Sequence, residues 1–200
     1  MIRVWLSGSA GTGKTSLARA LAERLGLPYI EEGMRRRLEA GLDVSRLDAA
    51  TYDRLLLELF EEQRQREAAC PAGFVADRSP ADFAAFALHY GSFHDRAFTE
   101  GLVSAALSAL DPAGHLILLP WGVLPLEHDG VRSTDRWLQF RFQALVEGLV
   151  ARYAQPGQTL WLGSEPQSLE QRLERALVWL AARGATPRPA RSAQGPGSRP

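Results

Sequence analysis

Short apolar runs alternate with longer amphipathic segments along most of this chain. The runs hold four or five residues each and predict buried strands at residues 2–6, 27–31, 73–76, 115–119 and 158–162. The longer segments predict helices at residues 15–25, 35–40, 48–69, 80–90, 98–110, 135–153 and 165–183. Strands that alternate with helices predict an α/β fold, in which a five-stranded parallel sheet has helices on both faces.

The turn between the first strand and the first helix carries a specific pattern. Residues 8–15 read Gly-Ser-Ala-Gly-Thr-Gly-Lys-Thr, which fits G-x-x-x-x-G-K-[ST] at every fixed position. A glycine loop before a helix presents backbone N–H groups at the positive end of the helix dipole, where phosphates bind. The pattern therefore predicts a three-layer P-loop NTPase fold that binds a nucleoside triphosphate. The residues predicted to contact the nucleotide are Gly8, Ser9, Ala10, Gly11, Thr12, Gly13, Lys14, Thr15 and Ser16.

Two side chains of this loop have predicted chemical roles. Lys14 is the single lysine among 23 basic residues, the rest being arginine. A compact ammonium group lies against the β- and γ-phosphates where a planar guanidinium would not fit, so we expect Lys14 to act in catalysis. The hydroxyl of Thr15 falls where a Mg²⁺ ion that bridges two phosphates needs a ligand.

Length, charge and cysteine content narrow the setting of this site. Two hundred residues suit one domain, which we assign to residues 1–183, and the proline-, glycine- and arginine-rich residues 184–200 predict a disordered tail. Without the tail, 20 basic residues face 23 acidic ones, a charge of about −3 that makes nucleic acid the less favoured partner. With no membrane-length apolar run, no signal peptide and a single cysteine, Cys70, we expect a cytoplasmic protein. The sequence leaves open whether the protein forms a homodimer.

Asp77 follows the third predicted strand and is the expected second metal anchor, or the general base. Many remodelling ATPases place a glutamate directly after this aspartate to activate water, but here Arg78 follows. An arginine is no base, although it binds phosphate or an acceptor substrate. This favours phosphoryl transfer over hydrolysis, and the alternative for Arg78 is a surface salt bridge. Glu32, after the second strand, is the other candidate base, although helix capping or the helix dipole would also explain an acid there.

A polar loop of residues 121–134 separates the fourth strand from the next helix, and loops of this length are usually functional. Arg132 and Arg136 are four residues apart at its end, where they would neutralise charge over the γ-phosphate as an arginine finger does. For Arg136 a solvated side chain is an equal alternative. Trp121 stands at the strand end beside the loop and is a candidate for stacking on a planar base.

These motifs together resemble the small P-loop kinases of the nucleoside and nucleotide kinase group, and most closely the ribosylnicotinamide-kinase domain type. Glu32-Gly-Met-Arg35 is similar to a Glu-x-x-Arg signature of that type, and Asp77-Arg78-Ser79 resembles the Asp-Arg signature of thymidylate-kinase-like enzymes. Trp121 with Asp129-Gly130-Val131-Arg132 looks like the lid segment. The resemblance implies an arginine-bearing lid at about residues 121–135, ATP with Mg²⁺, and an acceptor site with Glu32, Arg35, Arg78 and Trp121.

The sequence leaves three functions open. The first is a kinase that phosphorylates a hydroxyl of a nucleoside-like small molecule. The second is a kinase whose acceptor is a hydroxylated base in nucleic acid or a nucleoside monophosphate. The third is a nucleotide-dependent switch or regulatory ATPase, which the missing glutamate after Asp77 disfavours.

Overall fold

The computed structural model describes residues 1–90, 95–125 and 135–185. The strands are β1 (Ile2–Ser7), β2 (Tyr29–Ile30), β3 (Gly73–Asp77), β4 (His115–Leu118) and β5 (Thr159–Trp161). The helices are α1 (Lys14–Leu25), α2 (Gly33–Glu39), α3 (Ala49–Ala68), α4 (Pro80–Tyr90), α5 (Arg96–Ser108), α6 (Arg136–Tyr153) and α7 (Leu169–Ala181), with a short 3-10 turn at Val44–Arg46.

The five strands form one parallel sheet in the order β2-β3-β1-β4-β5. β1 lies at its centre, where Val4 is in register with Val75 of β3 and with His115 of β4. Val4, Trp5 and Leu6 are fully buried, as expected of a strand covered on both faces. The α/β fold with a five-stranded parallel sheet that the sequence predicts is confirmed. The central place of β1 puts the glycine loop in the middle of the C-terminal edge of the sheet.

Successive β1 residues face two different helical layers. Val4 and Leu6 pack with α1 and α7 through residues such as Leu17 and Leu180. Trp5 points to the opposite face, where α4 and α6 cover it with residues such as Ala85 and Phe142. A third cluster joins α3, α4 and α5 outside the second layer. The two-layer cover explains why the strands are apolar along their whole length rather than alternating.

The predicted element boundaries differ from the observed ones mainly at edges and caps. β2 is two residues long rather than five, because it is an edge strand whose ladder pairs Tyr29 and Ile30 alone with β3. The last helix begins at Leu169 rather than at residue 165, because Ser168 and Gln171 form a reciprocal capping box that starts the helix there. Asp135 caps α6 in the same way that Asp48 caps α3. No helix in the described ranges is long and apolar enough to cross a membrane.

Candidate active site

The glycine loop takes a conformation that its glycines make possible. Gly8, Gly11 and Gly13 have φ values of 133°, 73° and 86°, a region that side chains rarely adopt. A Cβ on Gly8 would also lie 2.9 Å from the carbonyl oxygen of Leu119. α1 begins directly after Gly13, and no side chain caps its first turn. The loop therefore presents backbone N–H groups at a helix N-terminus, which is a site for phosphate.

Lys14 lies buried against its own loop. Its Nζ donates to the carbonyl oxygen of Ser9 at 2.5 Å and approaches Oγ1 of Thr12 at 3.5 Å. These oxygens hold the ammonium at the loop, where an arriving triphosphate would offer it more strongly charged acceptors. Ser16 lies exposed in the first turn of α1.

Thr15 and Asp77 meet although they are far apart in the sequence. Oγ1 of Thr15 donates to Oδ2 of Asp77 at 2.5 Å, and Asp77 is 1% exposed. The other carboxylate oxygen, Oδ1, is buried and accepts no hydrogen bond from the described part of the chain. Burial raises the pKa of Asp77, Lys14 opposes the rise and Glu32 adds to it.

A divalent cation fits this pair. Mg²⁺ takes oxygen ligands and is usually held by one or two protein groups together with phosphates. A hydroxyl beside a buried carboxylate with an unused oxygen is such a pair, and a cation would favour the charged form of Asp77. Tyr29 lies on the other side, with its hydroxyl 3.5 Å from Oδ2 of Asp77. Burial and the negative charge of Asp77 raise the pKa of Tyr29, which therefore stays protonated.

Arg78 is a buried cation with nearly all its donors engaged. Nε and Nη2 lie 2.9 Å from Oε1 of Glu32, while Nη1 donates at 2.8 Å to the carbonyl oxygen of Gly8 and to Oδ1 of Asp82. The rings of Phe86 and Phe142 lie 5.0 and 5.6 Å from its guanidinium carbon. Burial alone would lower the pKa of Arg78, but Glu32 and Asp82 raise it, so the guanidinium stays charged.

The backbone at Arg78 is strained and firmly held. Its φ is 130°, a conformation that costs about 1–3 kcal/mol for a residue with a side chain. Nε2 of Gln63 donates to the carbonyl oxygen of Arg78 at 2.9 Å. Oδ2 of Asp82 accepts from the Ser79 backbone N–H at 2.9 Å and from the hydroxyl of Ser7 at 2.5 Å. These contacts aim the guanidinium inward, so the surface salt bridge considered for Arg78 is instead a buried pair.

A small pocket opens beside this cluster. It is lined by Glu32, Gly33, Met34, Leu56, Leu59, Arg78, Phe83 and Phe86. Its free volume is about 10 Å³, room for one water, so a larger occupant requires the side chains to move apart. The lining is mostly apolar and aromatic around the Glu32–Arg78 ion pair.

Trp121 and Arg136 come together next to the glycine loop. The guanidinium of Arg136 lies 5.1 Å from the centre of the Trp121 ring, and both residues are partly or fully exposed. With Ala10, Gly11 and others they line a second cavity of about 240 Å³. Arg136 is exposed, and its guanidinium lies over an aromatic ring beside the loop.

Residues 3–167 match the AAA domain family. The chain belongs to that family. No curated sequence matches it significantly.

Solved structures that share the fold of this AAA domain include nucleoside and nucleotide kinases. NadR protein in complex with NR has a TM-score of 0.70 and 22% identity, over 97% of this chain and 54% of NadR. Deoxyadenosine kinase from M. mycoides has a TM-score of 0.63 and 11% identity, over 91% of this chain and 100% of that one. Thymidylate kinase from Candida albicans has a TM-score of 0.60 and 16% identity, over 92% of each chain.

These likenesses confirm the predicted resemblance and show the fold. The AAA domain has the fold of the P-loop nucleoside and nucleotide kinases. It spans about half the length of the NadR chains that it matches.

The structure brings some predicted site residues together and leaves others apart or undescribed. Glu32 stands just before α2, but its side chain makes no capping hydrogen bond and pairs with Arg78. The helix-cap explanation for this acid is therefore wrong. Arg35 pairs with Glu39 one turn along α2, at 2.8 Å. Arg132, most of the lid segment and most of the tail lie outside the described residues.

Three side chains at the glycine loop were not predicted from the sequence. Gln143 and Gln139 of α6 accept hydrogen bonds from the backbone N–H groups of Ser9 and Ala10. Arg172 of α7 is buried, and its Nη1 donates to the carbonyl oxygen of Thr12 at 3.0 Å. The available signal was a set of polar residues on the buried faces of two amphipathic helices.

Proposed function

We propose that this AAA domain is a cytoplasmic kinase that transfers the γ-phosphoryl group of Mg·ATP to a hydroxyl of a nucleoside-like small molecule. The observation behind the proposal is the arrangement along neighbouring strand ends. Lys14 and the Thr15–Asp77 pair lie at the glycine loop, and Glu32 pairs with Arg78 and lines a mostly apolar pocket. Donor and acceptor would then meet between Asp77 and Glu32.

In the proposed reaction the acceptor oxygen bonds to the γ-phosphorus while the bond to the β–γ bridging oxygen breaks, releasing ADP. Thr15 and Asp77 would hold a Mg²⁺ ion, which would supply charge neutralisation at the phosphates. Lys14 neutralises further charge on the same phosphates. The hydroxyl proton passes to a carboxylate, and because Asp77 is suited to the metal, we assign this role to Glu32.

The charge of the Arg78 cluster favours an uncharged acceptor. Glu32 and Asp82 are two buried carboxylates that share one guanidinium, so the cluster carries about one net negative charge. A nucleoside monophosphate would have to draw Arg78 away from a buried partner, which leaves a charge uncompensated. This supports a nucleoside over a monophosphate as the acceptor.

The same residues disfavour hydrolysis without an acceptor. Arg78 occupies the position after Asp77 and is held as a cation, so it has no capacity to activate water. Arg132 and Arg136 would complete the proposed site as lid arginines over the γ-phosphate. Trp121 and Arg136 would also offer a stacking surface for a base.

The test is to incubate the protein with Mg·ATP and a panel of nucleosides, nicotinamide riboside, nucleoside monophosphates and hydroxymethylated DNA. Products are identified by mass spectrometry, with Lys14→Ala as the control. A phosphorylated nucleoside that Lys14→Ala does not produce would support the proposal. Phosphorylated monophosphate or DNA would transfer the assignment to the second function. Steady hydrolysis of ATP with no product on any acceptor would favour a switch or regulatory ATPase.

A further inference from the structure

Helix α6 contacts the glycine loop through two glutamines that the proposed reaction leaves without a role. The backbone N–H of Ser9 donates to Oε1 of Gln143 at 2.7 Å, and that of Ala10 donates to Oε1 of Gln139 at 3.2 Å. The glutamines are 2% and 7% exposed. Residues four apart lie on one face of a helix, so one face of α6 binds two successive amides of the loop.

Gln143 also ties the loop to the end of β4. Its Nε2 donates to the carbonyl oxygen of Leu119 at 2.9 Å and to Oε1 of Glu147 at 2.8 Å. A Cβ on Gly8 would lie 3.3 Å from Oε1 of Gln143, which shows how closely the loop approaches the amide. A primary amide has both an acceptor oxygen and two donor hydrogens, so it joins a backbone N–H to a backbone carbonyl.

The same face of α6 carries Arg136 at its first turn. Positions 136, 139 and 143 are three and four residues apart, which is the spacing of one helical stripe. Arg136 lines the 240 Å³ cavity together with Ala10, to which Gln139 is bound. The distance from Arg136 to the loop therefore depends on how the two glutamines seat the helix.

We propose that Gln139 and Gln143 are positioning residues that seat α6 on Ser9 and Ala10 and so hold Arg136 at a set place over the γ-phosphate. The catalytic consequence rests on the proposed kinase function, whereas the seating of the helix does not. A displacement of about 1 Å in a charged group at the reacting phosphate costs on the order of 100-fold in rate.

The activity test compares Gln139→Leu and Gln143→Leu with Gln158→Leu. Gln158 is a matched control, since it is 6% exposed and its Nε2 donates to the carbonyl oxygen of Asp111 at 2.7 Å, next to β5. We expect kcat to fall about 10- to 100-fold in the first two variants, with the KM for ATP changed less than about threefold. Gln158→Leu should keep kcat within about twofold.

A double substitution separates positioning from general damage. If Gln139 acts through Arg136, adding Gln139→Leu to Arg136→Ala should lower kcat by less than about twofold further. Fully additive losses would overturn the proposal. Should Gln143→Leu fail to fold, Gln139→Leu, which removes the longer hydrogen bond, answers the question by itself.

Amide hydrogen exchange tests the seating without any turnover. We expect the Ser9 and Ala10 amides to exchange at least about tenfold faster in the Gln139 and Gln143 variants, and at the wild-type rate in Gln158→Leu. Unchanged exchange would overturn the seating. Faster exchange in a protein that phosphorylates no acceptor would instead retain the seating and reject the kinase. Faster exchange with unchanged kcat in a working kinase would reject the positioning role.

Discussion

The glycine loop and the Arg78 cluster follow neighbouring strands, β1 and β3, yet different interactions hold them. The loop depends on backbone conformation at Gly8 and Gly13 and on neutral amide contacts from α6. The cluster depends on buried charge, with one guanidinium between two carboxylates. The loop is therefore suited to receive the charge of a triphosphate, whereas the cluster already holds two carboxylates on one guanidinium and is suited to an uncharged partner.

The largest expected effect is on the nucleotide side. Lys14→Ala removes the ammonium from the glycine loop, and we expect turnover to fall by on the order of 1,000-fold or more, because charge on the transferring phosphoryl group is no longer neutralised. Steady-state kinetics with the acceptor found in the panel provide the measurement. Lys14→Arg keeps the positive charge and is the matched control. Its turnover should also fall, because the planar guanidinium group does not fit the loop. Near-normal turnover in either variant would contradict the assignment of Lys14.

On the cluster side the largest effect is on stability. Arg78→Ala leaves Glu32 and Asp82 buried without their partner, and we expect the free energy of unfolding to drop by about 3–5 kcal/mol. Chemical denaturation measures it. Arg96→Ala, which breaks an exposed ion pair with Glu100 on α5, should change it by less than about 1 kcal/mol. Similar decreases in the free energy of unfolding of both variants would show that burial of the Arg78 ion pairs does not set their contribution to stability.

A smaller loss of stability is expected when the backbone conformation of the glycine loop is disturbed. Gly8→Ala adds a Cβ 2.9 Å from the carbonyl oxygen of Leu119 at a φ of 133°, and we expect a loss of about 2–3 kcal/mol. Gly41→Ala tests strain without a clash, because Gly41 has a φ of 96° and open space around it. Its cost should be about 1 kcal/mol. Equal decreases in the denaturation midpoint of Gly8→Ala and Gly41→Ala would show that the close approach of Gly8 to Leu119 adds nothing to the cost of backbone strain.

The smallest expected effect links the two regions through Asp77. Burial raises the pKa of this carboxyl above its ordinary value of 3.8, so the charged form destabilises the folded protein. The free-energy cost of burying this charge is absent well below pH 3.8, because the carboxyl is then protonated in both the folded and the unfolded state. The cost grows as the pH rises above 3.8 and reaches its full value above the folded-state pKa. Asp77→Asn should therefore raise the free energy of unfolding at pH 7, and the gain should shrink as the pH falls to about 3.5.

Thermal melts at the two pH values, with and without Mg²⁺ and a non-hydrolysable ATP analogue, test Asp77 directly. The ligands should stabilise the wild type more than Asp77→Asn, because the variant lacks the carboxylate that would hold the metal. Equal stabilisation of both proteins would argue against Asp77 as a metal ligand. A destabilised variant at pH 7 would contradict the cost of burying this charge.

Sequence-based prediction did best where structure depends on near neighbours. The boundaries predicted for β1 and α1 differ from the observed ones by one residue, because the apolar run, the glycines and the leucine spacing act within a few positions. β2 was predicted too long because its extent depends on pairing at the edge of the sheet. The same division applies to the site. Trp121 and Arg136 were singled out separately, but their contact depends on the packing of α6 beside β4.

The α/β architecture and the glycine loop with its lysine follow from local sequence patterns, since a contiguous stretch of chain encodes each part. Tertiary packing set the environment of that loop. It joined Glu32 to Arg78 across 46 positions, Gln143 to Ser9 across 134 and Arg172 to Thr12 across 160. Residues this distant leave no local pattern, because a buried polar group is stable wherever the fold supplies it a partner.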